Sequence, residues 1–294
     1  MQFKEKLEDM QAKINSYLNS IIPRDEAYIN NLLDSMRYSL FAGGKRMRPI
    51  LMLTVGEIFD CKAEFILPFA AAVEMIHTYS LIHDDLPAID NDDYRRGKLT
   101  NHKVYGEACA ILSGDALLNF AYEHILDFSL KYNDTRFIAA SYEISKAAGI
   151  YGMIGGQVVD IENENKPCDI KTVEYMHKNK TGALITASVR SSAVISRVNA
   201  DDLTRLTDFA QKLGLAFQII DDILDVVGDD AKLGKKHGSD LKSNKSTYVS
   251  LVGLKSSREM AARLTNDALN LISFYKEKAE FLYMLTEYLL NREY

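Results

Sequence analysis

Five aspartates crowd the stretch "SLIHDDLPAIDNDDYRRG", at Asp84, Asp85, Asp90, Asp92 and Asp93, and Arg95 and Arg96 follow at once. Asp84 and Asp85 close a long apolar run just before Pro87, at a helix C-terminus, where the helix dipole disfavours negative charge. Something positive has to sit beside them. On a continuous helix Asp84 and Asp90 would stand about 120° apart, so a bend at Pro87 is needed to bring them together. Alone, the stretch would read equally well as a solvated acidic turn. A second cluster, "FQIIDDILD", tips the balance: Asp221 and Asp225 lie one turn apart with Gln218 three residues before Asp221, so all three project from one helix face. Carboxylates buried on apolar helices are costly unless they are paired or bind metal. Oxygen ligands without a His/Cys set point to a hard cation, and two facing clusters suit Mg²⁺ ions that bridge to substrate phosphates.

Basic groups supply the complementary half. In "AGGKRMRP", Lys45, Arg46 and Arg48 surround the start of a helix whose first turn holds Pro49, so cations gather where the dipole already repels them. An anion relieves that repulsion, and a glycine-flexed turn beside exposed backbone N–H groups is a candidate diphosphate site. His77 stands seven residues before Asp84, about two turns down the same helix face, within reach of a second phosphate group. Lys180, Lys235 and Lys245, in "KNKTGALI", "LGKKHGSD" and "SNKSTY", carry little weight individually. Together these residues describe a cavity with acidic groups for Mg²⁺ and basic groups for two separate anionic substrates. No Gly-x-Ser-x-Gly elbow, Walker loop or dinucleotide fingerprint competes.

The elements that must position this chemistry are helical. Nearly every long segment repeats apolar residues at three- and four-residue spacing, as in "LEDMQAKINSYL" and "EFLYMLTEYLL", and strand alternation is missing. Pro23, Pro49, Pro68, Pro87 and Pro167 are expected at breaks between segments, which divides the chain into about ten helices. The expected fold is all-α: one single-domain bundle, residues 1–294, around a central cavity. "ILPFAAAVEMIHTYSLI" and "LGLAFQIIDDILDVV" are apolar on most faces and belong at its centre. No apolar run reaches the roughly 18 uninterrupted residues of a membrane span, and the amphipathic start lacks a signal-peptide pattern, so a cytoplasmic location is expected. A net charge of −6 argues against a general nucleic-acid binder. Cys61, Cys109 and Cys168 form neither a disulfide framework nor a zinc cage.

Taken in order, "GGKRMRP", "HTYSLIHDDLPAIDNDDYRRG", "GGQVVD", "KTGALI", "FQIIDDILD" and "GKKHGSD" resemble the trans-isoprenyl diphosphate synthases, most closely the bacterial farnesyl diphosphate synthases. The resemblance spans nearly the whole chain. It implies the isoprenoid synthase fold, a homodimer, and three Mg²⁺ ions per site, with Mn²⁺ as a substitute. By motif, Asp84, Asp85, Asp90 and Asp221 match metal-binding positions, with Asp222 and Asp225 close behind them. Lys45, Arg48, His77 and Arg96 match a pocket for isopentenyl diphosphate, and Arg95, Lys180, Lys235 and Lys245 match ligands of an allylic diphosphate. The implied reaction ionises the allylic diphosphate, with Lys180, Thr181 and Gln218 beside the cation; no side chain need act as general base, because released pyrophosphate can take the proton. Gln157 and Asp160 are expected to orient neighbouring polar groups, and the segment from Gly228 to Ser246 to cover the site.

Tyr79 sits five residues before Asp84, about 7.5 Å down the helix, where a ring would floor the cavity. With the two-residue expansion of "DDLPAID", the resemblance implies a fifteen-carbon product; Ser80 leaves one side of the floor open, which keeps geranyl or geranylgeranyl diphosphate as alternatives. A non-catalytic partner subunit would normally have lost an aspartate cluster, and both are intact. A class I terpene cyclase would carry an Asn/Ser/Glu metal motif where this chain has "DDILD". A scaffold binding metal only for stability would not explain "GGKRMRP".

Overall fold

A computed structural model describes residues 2–227 and 246–290. In chain order the helices are α1 (Phe3–Ile21), α2 (Asn30–Leu40), α3 (Met47–Ile58), α4 (Ala63–Asp84), α5 (Asn101–Tyr105), α6 (Glu107–Tyr132) and α7 (Thr135–Ala148). They continue with α8 (Met153–Glu162), α9 (Ile170–Met176), α10 (Gly182–Ile195), α11 (Ala200–Val227), α12 (Tyr248–Val252), α13 (Leu254–Ser273) and α14 (Glu280–Leu290). Helices α5, α9 and α12 are only 5, 7 and 5 residues long, so the segmentation into about ten helices captured the long ones.

Helix α4 organises the bundle because it has no polar face: Ile66, Phe69, Val73, Met75 and Ile76 point in different directions and all are buried. Such a helix must be surrounded, and α3, α6 and α10 pack against it. By length and composition it would pass as a membrane span, yet 72% of its most apolar window is buried inside the protein. Helix α11 is packed between α10 and α13. Since α4 ends at Asp84 and α11 carries Asp221 in its last two turns, the acidic motifs occupy helix ends above the core.

Two expectations are corrected. Pro68 lies inside α4 rather than at a break. The N–H it lacks would have bonded the carbonyl of Glu64, an exposed residue in the first turn, where a lost bond costs least. A hairpin also interrupts the all-helical pattern, pairing β1 (Tyr94–Arg95) with β2 (Lys98–Leu99) in the register Tyr94↔Leu99 and Arg95↔Lys98. Its two-residue turn holds Arg96 at φ 53° and Gly97 at φ 74°, the positive values of a type I′ turn that usually takes Asn-Gly. With Arg in the first place and strands two residues long, the hairpin had no readable signal.

The loop before α3 is tied to α4 by a buried ion pair. Arg46, left-handed at φ 52°, donates to Glu74 Oε1 at 2.7 Å, to the Leu40 carbonyl at 2.6 Å and to Asn15 Oδ1 at 2.9 Å. Arg46 and Glu74 are 3% and 2% exposed, so Arg46 is a fastener and not part of an anion site. Glu74→Leu would leave a buried guanidinium without its counter-charge and is expected to lower stability by about 3–5 kcal/mol in urea unfolding. A loss below about 1 kcal/mol would mean that the bonds to Leu40 and Asn15 suffice to hold the loop.

Candidate active site

Two cavities adjoin at the C-terminal end of α4. The first, about 530 Å³, is lined by Gly43 to Arg48, His77, Arg96 and Phe217. The second, about 330 Å³, is lined by Tyr79, Asp84, Gln157, Lys180 and Thr181 among others, and it shares Arg48 and His77 with the first. A smaller recess of about 150 Å³ holds Asp160, Lys180, Thr181, Gln218 and Asp222. Lys180 and Thr181 therefore stand between the two acidic motifs, and Arg48 and His77 stand between the two large cavities.

The first cavity is cationic. The Arg48 Nε is buried with no protein partner, and burial pulls the guanidinium below its usual pKa, with Arg96 adding to the effect against the pull of Glu74 and Asp221. Burial holds His77 well below the usual histidine pKa, and Arg48, Arg96, Arg95 and Arg46 push the same way, so its imidazole is neutral at pH 7. The Lys45 ammonium lies 5.5 Å from the centre of the Tyr288 ring on α14. Arg96 crosses from the hairpin turn to donate to the Gly43 carbonyl, with its guanidinium against Gly44, where a Cβ would come within 2.6 Å of it. Glycine at 44 is required by its φ of 122°, and any side chain there would also displace the Arg96 guanidinium.

The acidic side shows how the chain turns. The Asp90 N–H donates to the Asp84 carbonyl at 2.9 Å, so the break at Pro87 folds the backbone onto itself and brings the two aspartates together. Burial raises the Asp84 carboxyl to about 6; Lys180 opposes the rise, while Asp90 and Asp85 reinforce it. Asp85 is 3% exposed and is gripped by Arg95, whose Nη2 lies 2.6 Å and Nε 2.7 Å from Oδ1. That pair is the positive partner the helix end demanded. Lys180 bonds Asp160 Oδ2 at 2.6 Å, which identifies the group that Asp160 orients. Thr181 donates to Gln218 Oε1 at 2.8 Å.

Lys180 and Thr181 reach these positions through a π-turn, His177–Thr181, between α9 and α10. Such turns recur at functional sites because one extra residue re-aims the side chains that follow. Helix α8 presses against the turn at Gly156, where a Cβ would lie 2.2 Å from the Lys180 backbone nitrogen. Asp222 is 5% exposed, accepts the Tyr248 N–H at 2.7 Å and lies 3.5 Å from His177, so it ties α11 to α12 and to the π-turn. Sequence reasoning missed Glu74, His177 and Tyr248; a lone acid in an apolar helix was the only available signal for the first. Lys235 and Lys245, and nearly all of the expected covering segment, lie outside the described residues.

Among the described residues no three His, Cys, Asp or Glu side chains converge enough to hold an ion unaided. The donor set nevertheless fits magnesium: it is all oxygen, and the buried Asp84 carboxylate, with Asp90 and Asp85 beside it, would be relieved by a divalent cation whose remaining ligands would come from phosphate.

An all-α bundle with a polar-rimmed cavity at the ends of its central helices defines the isoprenoid synthase fold. The chain belongs to the polyprenyl synthetase family, whose sequence model matches residues 29–282, and it is a prenyltransferase. It is 46% identical to the farnesyl diphosphate synthase of Micrococcus luteus over 257 residues, covering 87% of this chain and 88% of the relative. It is 44% identical to the geranylgeranyl diphosphate synthase of Cyanophora paradoxa over 280 residues, covering 95% and 93%. The crystal structure of an FPP/GFPP synthase from Zymomonas mobilis superposes with a TM-score of 0.88 at 34% identity, covering 98% of each chain. The geranyltransferase of Helicobacter pylori, solved in complex with magnesium and isoprenyl diphosphate, gives 0.84 at 31%, covering 99% of this chain and 97% of that one.

The raised Asp84 pKa fixes the sign of a stability effect. An aspartate whose folded pKa lies above its unfolded value of about 3.8 opposes folding at every pH above the folded value, and the penalty fades as pH falls through the window from about 6 to about 4. Metal-free Asp84→Asn is therefore expected to be more stable than the parent at pH 8 by about 1–3 kcal/mol, with the gap closing near pH 4. Urea titrations at the two pH values in the presence of EDTA measure it. Equal stabilities at pH 8 would mean that Lys180 already neutralises the carboxylate.

Proposed function

We propose that the protein is a farnesyl diphosphate synthase, which joins isopentenyl diphosphate head-to-tail (1'-4) to dimethylallyl diphosphate and then to geranyl diphosphate. The observation that carries the reading is the pair of adjoining cavities divided by Arg48 and His77. One carries Lys45, Arg48 and Arg96 in its lining; the other joins Asp84 to an apolar interior. In this reading Lys45, Arg48, His77 and Arg96 hold the isopentenyl diphosphate. Lys180, and Arg95 through its grip on Asp85, meet the allylic diphosphate from the other side. Asp84, Asp85, Asp90 and Asp221 are the residues that would hold three Mg²⁺ ions, or Mn²⁺ in their place. Bound there, the metal supplies Lewis-acid stabilisation of the departing diphosphate.

The chain's own contribution is charge placement. Because Thr181 directs its hydroxyl hydrogen to Gln218, its oxygen lone pairs are left to face a cation. The isopentenyl double bond then attacks the allylic carbon, and the released pyrophosphate takes the proton. The cavity walls, with Met153, Ile154 and Val158 opposite Tyr79, keep water from the cation. Tyr79, 5% exposed in the second cavity, supports the fifteen-carbon product. The geranylgeranyl reading is favoured by the names of several relatives and by Ser80 beside Tyr79. A homodimer, in the cytoplasm, belongs to the same proposal: Leu112, Leu126 and Leu130 on α6 and Ile138 and Tyr142 on α7 are exposed apolar groups that a second copy would cover.

Purified protein given Mg²⁺, labelled isopentenyl diphosphate and either dimethylallyl or geranyl diphosphate is expected to yield a fifteen-carbon product by chromatography. Tyr79→Ala is expected to lengthen it. A twenty-carbon product from the parent would move the assignment to geranylgeranyl diphosphate synthase. No metal-dependent product from either primer would return the chain to a non-catalytic partner subunit.

A further inference from the structure

The side chain of Gln157 is a polar group in the second cavity that the reaction outlined above leaves without a task. It projects from α8, and both its amide atoms are buried with no hydrogen-bond partner. A buried amide with neither end satisfied costs stability, and such a group persists when something other than stability requires it.

Its surroundings say what that is. Gly156 brings α8 into contact with the backbone of Lys180, so the next residue is delivered directly beneath the π-turn that carries Lys180 and Thr181. Asp160, three residues on and on the same helix face, holds the Lys180 ammonium at 2.6 Å and fixes the rotation of α8 about its axis. Gln157 therefore enters the cavity beside the π-turn, where Thr181, Tyr79 and Met153 also line the wall. The other amide of the site is already committed, since Gln218 Oε1 accepts the Thr181 hydroxyl hydrogen. The Gln157 carbonyl is left available to a guest, together with the Tyr79 hydroxyl, which is also buried without a partner.

We propose that Gln157 is a further catalytic residue, whose side-chain carbonyl faces the allylic carbons and stabilises the positive charge that develops there. The inference rests on the allylic-ionisation reading. The C1–O bond breaks with both electrons leaving on pyrophosphate, and the charge spreads over C1 and C3 of the allylic unit. The isopentenyl double bond then forms the new C–C bond to C1, and the resulting tertiary cation loses a proton to pyrophosphate. Lys180 and Thr181 address the C1 end next to the leaving group. Gln157, which lines the same cavity, addresses C3, the tertiary end where the larger share of the charge resides.

The test uses the full-length protein with magnesium and replaces the dipole by apolar groups of similar length, in Gln157→Leu and Gln157→Met. Each variant is expected to lower the single-turnover rate about 10- to 100-fold, somewhat less than loss of a dedicated oxyanion-hole donor, while KM for both substrates stays within about threefold. The melting temperature is expected to hold or rise, because an unsatisfied buried amide has been removed. Slower chemistry in a protein at least as stable is a combination that a packing role cannot produce. A single-turnover rate within threefold of the parent in both variants overturns the proposal, as does a rate loss that tracks a lower melting temperature in both. If Leu disturbs the fold, Met decides. An inactive parent would sink the synthase reading itself, whereas an active parent with unaffected variants removes only Gln157 from the catalytic set.

Discussion

A helix without a polar face dictates this molecule. Helix α4 buries apolar side chains in every direction, so α3, α6 and α10 must enclose it, and what it carries at its C-terminus is lifted to the end of the bundle. There the chain places carboxylates where the helix dipole opposes them. The fold resolves the conflict twice. Asp85 takes a bidentate grip from Arg95, delivered by a hairpin of two-residue strands, and Asp84 shares the field of Lys180. What stays unresolved is the burial of the Asp84 carboxylate, with Asp90 adding repulsion, and that residue of unfavourable energy is what a cation and its phosphate ligands would relieve.

The same economy governs the basic side. Of the three cations in "GGKRMRP", one is withdrawn into the core to fasten the loop to Glu74, which leaves Lys45 and Arg48 facing the cavity. Arg48 keeps a buried Nε without a partner, and His77 is held neutral by burial, with the surrounding guanidinium groups pushing the same way. Neither arrangement favours the empty protein. Both favour an anion. Stability is supplied by the interior, by α4 and its neighbours, and the ends of the helices hold charge that the fold leaves partly uncompensated.

Glycines set the last distances. Gly44 admits the Arg96 guanidinium against the backbone, and Gly156 admits the Lys180 backbone against α8. In each case a side chain would separate two elements that must touch for charges from different parts of the chain to share one cavity. Asp222 plays the corresponding role on the far side, joining α11 to α12 through the Tyr248 N–H. It belongs to an acidic motif, yet its carboxylate serves the backbone.

Much of this was legible in the sequence. Period and proline placement gave the long helices, because helical burial repeats at a fixed spacing that survives as pattern. The two acidic motifs and the basic turn stood out because each sets charge where a helix end or an apolar face penalises it. Pro68 misled because a proline near a helix start costs little, and the hairpin at Arg96 was invisible because Arg replaces the usual turn residue. The sequence by itself determined the fold class, the types of charge and the helices that bear them. Only tertiary structure decided the partners: that Arg46 turns to Glu74, Arg95 to Asp85, Lys180 to Asp160, and that Gln157 turns to nothing. Pairing depends on distances between elements remote in the chain, and those are set by packing, which leaves no periodic trace in the order of the residues.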